Sequence, residues 1–98
     1  MSKEENCMPL THRVTFKVQM QNQNRFQIPK SVRWHYKLES SQMIKITLRV
    51  FNVGFYESFL GKMLPDGRVT IPRIIIVQLL RVMPDLKSDF IEVYLEPV

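Results

Sequence analysis

Seven consecutive residues, Asn24-Arg25-Phe26-Gln27-Ile28-Pro29-Lys30, return 43 positions later as Gly67-Arg68-Val69-Thr70-Ile71-Pro72-Arg73, in the same order of small, Arg, apolar, polar, Ile, Pro and basic. Two independent loops rarely share seven positions, so the chain carries an internal repeat. The same offset pairs Phe16 with Phe59 and Met20 with Met63, which extends the likeness upstream through a strand. Downstream, Ile44-Lys45-Ile46-Thr47-Leu48 matches Ile91-Glu92-Val93-Tyr94-Leu95 at an offset of 47, so the second copy holds four extra residues after Arg73. A unit of about 40 residues cannot bury an apolar face alone, and the two copies must share one core. The expected division is a flexible tail over residues 1–12 and a single domain over 13–98, with repeat one at 13–53 and repeat two at 54–98.

Each copy reads as strand, turn, short strand, short helix, strand, which makes the fold class mainly β with short helices. Val14, Phe16, Val18 and Met20 alternate with Thr15, Lys17, Gln19 and Gln21, the period of a strand with one buried face. Polar Gln21 to Asn24 supplies a turn, and Pro65-Asp66-Gly67 supplies a stronger one. A proline has a fixed φ and no amide hydrogen, so it suits the first turn of a helix and disrupts its interior. Helices are therefore predicted to begin at Pro29 and Pro72, the first reaching Lys37 and the second Val82, where Pro84 stops it.

Other classes fall away on composition. No segment approaches the roughly 20 apolar residues of a membrane span, and the first residues lack the apolar core of a signal peptide, so a cytoplasmic protein is expected. The single cysteine, Cys7, cannot form an internal disulfide, and with only His12 and His35 it makes no metal-ligand set. There is no nucleophile-and-base motif, paired carboxylate or phosphate-cradling glycine loop; neither catalysis, a cofactor nor a small-molecule substrate is expected. Net charge is +5, but residues 13–49 carry eight basic side chains against one acid, and residues 50–98 five against six. A basic half suits a polyanion, and a DNA binder should gather those bases on one continuous face, whereas an adaptor would show them scattered and the Ile74 to Leu80 helix exposed.

The Arg-Phe-Gln-Ile-Pro-Lys and Gly-Arg-Val-Thr-Ile-Pro-Arg cores, set between alternating strands and followed by short helices, resemble the swapped-hairpin family that includes AbrB, SpoVT and the MazE antitoxins. The likeness spans roughly Val14 to Leu95 and is strongest over Asp66 to Pro72. It implies a closed β-barrel of two interleaved ββαβ-type units, here within one chain, and a transcription regulator or nucleoid-associated protein that binds double-stranded DNA. It further implies DNA contacts from the arginine after each turn, Arg25 and Arg68, and from the bases past each proline, Lys30, Arg33 and Arg73. The second copy departs from the first in having Ile76 where Arg33 stands, so the first copy is expected to contribute more.

Simpler roles stand beside these. Arg68 could pair with Asp66 to stabilise its turn. Lys30, Arg33 and Lys37, spaced three and four apart, form either a phosphate-binding stripe or a solvated helix face. Trp34, His35 and Tyr36 read more readily as core or capping residues than as a stacking platform. The nearly all-apolar run from Ile74 to Leu80 means deep burial or contact with another subunit, which makes a homodimer through this helix the expected self-association. An antitoxin-like or adaptor module, using the same barrel without DNA, is the alternative function.

Overall fold

Alternating apolar residues set the strands, and the prolines set the helix starts. A computed structural model describes residues 13–40, 42–85 and 90–98; the expected tail, with Cys7, lies outside them. The elements are β1 (Val14–Gln19), β2 (Arg25–Gln27), α1 (Lys30–His35), β3 (Met43–Val50), β4 (Phe55–Lys62), β5 (Arg68–Thr70), α2 (Arg73–Val82) and β6 (Phe90–Pro97). Pro29 and Pro72 immediately precede the helices with nearly identical backbone angles, φ −54° and −56°. The fold is mainly β, with two short helices and a compact antiparallel sheet.

The strands interleave the two halves of the sequence. β1 pairs with β6 and β4 with β3, while β3 and β6 pair at the centre. The ladders repeat under the sequence offsets: Phe16 faces Val93 just as Phe59 faces Ile46. In the short ribbon of β2 and β5, Phe26 faces Val69, its own equivalent. The flanking bonds repeat too, since the Ile28 amide donates to the Gly67 carbonyl and the Ile71 amide to that of Asn24, both at 3.0 Å. The shared core gathers Ile44, Ile46 and Leu48 from β3, Ile91, Val93 and Leu95 from β6, Phe26 and Val69 from the ribbon, and Leu79 from α2. Fully burying each such side chain contributes about 1.5–3 kcal/mol.

The expected closed barrel is not detected among the described residues. Among the described residues the strands make an open four-stranded sheet, ordered β1-β6-β3-β4, and a separate two-stranded ribbon. The reason is local. β2 and β5 are three residues long and pair only with each other. Their links to β1 and β4 shrink to turn bonds, Gln21 amide to Arg25 carbonyl at 2.7 Å and Leu64 amide to Arg68 carbonyl at 2.8 Å. β1 and β4 therefore remain the sheet's edges.

The first helix is also shorter than expected. It ends at His35 because Lys37 takes a left-handed conformation, φ 52°. The Lys37 amide then donates to the Trp34 carbonyl and the Leu38 amide to the Arg33 carbonyl, at 3.3 and 3.0 Å. That is the Schellman closure, and buried Leu38 supplies its apolar contact with the core. In α2, Ile75, Ile76 and Leu79 enter the core, whereas Ile74, Val77 and Leu80 face outward at 70%, 44% and 42% exposure. No helix among the described residues is long and apolar enough to cross a membrane.

Candidate nucleic-acid interface

A strand that buries every second residue exposes the others, and in the ribbon this brings the two arginines together. Phe26 and Val69 are fully buried, so Arg25 and Gln27 of β2 share the opposite face with Arg68 and Thr70 of β5. Arg25 faces Thr70 and Gln27 faces Arg68, which makes the two arginines diagonal neighbours, about 7–8 Å apart at Cα. Arg25 Nε donates to Thr70 Oγ1 at 3.2 Å, across the strands. Asp66 Oδ1 accepts the Arg68 amide at 3.1 Å and thereby holds the turn. Its Oδ2 lies 3.6 Å from Arg68 Nε, with the side chains 55% and 43% exposed. That separation is too long for a hydrogen bond, and Arg68 Nε is enclosed without a hydrogen-bond partner. An ion pair this exposed contributes at most about 1 kcal/mol.

Arg33 has a structural task. Its Nε donates to the Ile28 carbonyl at 3.0 Å, between the end of β2 and the start of α1. Its guanidinium lies against Gly67 of the opposite copy, where a Cβ would fall 2.6 Å from Arg33 Cζ and 2.6 Å from Gln27 Nε2. Gly67 also has φ +89°, which an L side chain adopts only with strain. Gln27 Nε2 donates to the Asp66 carbonyl at 2.7 Å, fastening the same turn. The turn that presents Arg68 is thus held from the first copy.

Lys30 opens α1 and places its ammonium 4.4 Å from the centre of the Trp34 ring, a cation–π contact. Arg73 opens α2 and is exposed. Neither helix has an acid in its first turn or a side-chain cap, so two cations stand where the helix dipole disfavours them. Lys37 lies beyond α1 and is not part of a helical stripe with Lys30 and Arg33, a correction imposed by the Schellman turn. Trp34 is 70% exposed, contrary to its reading as a core residue. His35 is exposed and stacks edge-on with Tyr36 at 4.6 Å. Among the described residues no three metal-ligating side chains cluster.

The basic residues between Arg13 and Arg49 do not form one continuous face, as a DNA binder was expected to show. Lys17, Lys45 and Arg49 stand in the four-stranded sheet, where Glu92 faces both Lys17 and Arg49 and Glu96 faces Lys45. Arg49 also donates to Tyr94 Oη at 3.2 Å, and that hydroxyl donates to Glu92 Oε1 at 2.7 Å. The acids of the second half therefore offset these bases. The ribbon, its turns and the adjoining helix starts, residues 21–37 and 64–76, hold six basic residues and one acid, Asp66. Gln27 and Thr70 complete the outward face; strand alternation within β2 and β5 was the signal that could have nominated them.

No family model matches the chain, and no curated protein matches it. A solved structure, described as the solution structure of PHS018 from Pyrococcus horikoshii, superposes with a TM-score of 0.66. The two are 22% identical, over 90% of this chain and 91% of that one. The likeness is one of fold.

Proposed function

We propose that this chain is a non-enzymatic, DNA-binding regulator of the swapped-hairpin, AbrB-like type, acting without a cofactor in the cytoplasm at the nucleoid. One observation carries the reading: Arg25 and Arg68 lie diagonally on the outward face of a ribbon whose surroundings hold six bases and one acid. A guanidinium fork suits phosphates and guanine edges alike. Lys30, Lys37 and Arg73 add charge beside the ribbon, and Arg33 holds the turn that presents Arg68. The test is duplex binding by fluorescence anisotropy across a salt series. With about four to six phosphates neutralised, log affinity falls against log salt with a slope of roughly −4 to −5. Arg25→Ala and Arg68→Ala each flatten the slope by about one unit. Salt-independent binding, or full affinity in the Arg25→Ala/Lys30→Ala/Arg68→Ala variant, would refute it.

A second reading, a protein-interaction module or homodimer, draws on the two features expected of an adaptor, the division of the basic residues between sheet and ribbon and the outward apolar face of α2. Ile74, Val77 and Leu80 form an exposed apolar strip between Arg73 and Arg81. A stable interface buries about 800 Å² per partner, which this strip alone does not supply. Light scattering distinguishes the cases: an Ile74→Lys/Leu80→Lys variant dissociates a dimer built on α2 and leaves a monomer unchanged.

A further inference from the structure

A tryptophan is costly to leave in water, and one so placed amid bases has a use that a scattered surface apolar residue does not. Trp34 is the chain's one tryptophan, and it is 70% exposed. Lys30 covers one face of its ring at 4.4 Å. With most of the indole in water, the opposite face is the surface available for stacking. Lys30 and Trp34, four apart in α1, share one helix face, and the helix itself is joined to the ribbon turn through Arg33, whose guanidinium lies against Gly67. No acid occurs from residue 21 to 38. We infer that Trp34 is a stacking platform for an unpaired nucleobase, which would lie on the indole face opposite Lys30 while neighbouring bases meet the phosphates.

The inference rests on the nucleic-acid reading and extends its target from the duplex to strands with unpaired bases. Bases inside a duplex have both faces stacked on their neighbours; an unpaired base offers a free face to an aromatic ring. The ring therefore adds affinity for a single strand, or for a junction where strands separate, and adds none for an intact duplex, which the basic side chains hold through its phosphates. Phosphate contacts alone would not discriminate in this way, because the backbone charge is common to both.

Because Trp34 is unique, its emission reports on itself. The protein is titrated with a labelled single strand of mixed sequence, about 12 nucleotides long, and with the matching duplex, following label anisotropy and indole fluorescence together. The single strand quenches Trp34 in step with binding, and Trp34→Ala weakens that binding about tenfold or more. Duplex affinity stays within about twofold, and Trp34→Phe, with a smaller ring, falls between. Single-strand binding without quenching, or undiminished in Trp34→Ala, overturns the stacking role while leaving phosphate binding intact. Failure of both nucleic acids to bind at low salt overturns both readings; failure of the single strand alone overturns the stacking role, and failure of the duplex alone overturns the duplex-binding reading. A blue shift of Trp34 on anionic vesicles, with none on the single strand, assigns the ring to a lipid surface and overturns the inference.

Discussion

Replacing Gly67 by alanine tests whether the two copies are coupled through one turn. Gly67 has φ +89°, and a Cβ there would fall 2.6 Å from Arg33 Cζ and 2.7 Å from Arg33 Nε. The left-handed backbone costs an alanine about 1–2 kcal/mol. Arg33 must also swing away, giving up its bond to the Ile28 carbonyl, worth about 1 kcal/mol at this half-buried site. Displacing Gln27 from the Asp66 carbonyl adds about 0.5 kcal/mol. The total is about 3 kcal/mol, which in a domain of this size lowers the melting temperature by about 12–24 °C. In an Arg33→Ala background, backbone strain and the small Gln27 term remain, so Gly67→Ala should cost about 1 kcal/mol less there. Thermal and urea melts followed by circular dichroism read both numbers. A loss below about 1 kcal/mol, or the same loss in both backgrounds, would show that Arg33 and Gly67 are not coupled.

Lys37→Gly should raise stability by about 0.5–1 kcal/mol, since glycine is at ease at φ 52°, and urea melts would show it. Leu79→Ala removes a fully buried side chain from α2 and should cost about 2–5 kcal/mol, read by the same melts. Asp66→Asn keeps an acceptor for the Arg68 amide while removing the charge beside its guanidinium. The salt slope of duplex binding should steepen by up to about one unit, and an unchanged slope would show that Asp66 does not restrain Arg68.

The prolines and alternating strands were legible because each rests on a local rule. Pro29 and Pro72 have no amide hydrogen to lose, and Val14 to Met20 simply alternates. The end of α1 was not legible: a lysine in the left-handed region carries no sequence mark, and only buried Leu38 accounts for the turn. The charge reading failed for a reason of space. Glu92 and Glu96 are far in sequence from Lys17, Arg49 and Lys45, yet they stand opposite them once β6 pairs with β1 and β3. Counts along the chain treat the halves as separate, whereas the strands interleave them. The ribbon's arginines were legible because both belong to the repeat. Trp34's exposure was not, since a Trp-His-Tyr run at a helix end fits a core equally well.

Interleaving two copies inside one chain changes what substitutions can do. In a symmetric dimer of identical chains every mutation appears twice, and a change useful at one site is imposed on its mate. Here α1 presents a lysine and a tryptophan outward where α2 presents isoleucine, valine and leucine. Such a difference is closed to a dimer of identical chains. Under the proposed nucleic-acid reading, a surface of this kind has no twofold to match, so its target need not be palindromic. Because both copies travel together, folding need not await a second molecule, and a melting temperature that rises with protein concentration would point to the α2 dimer instead.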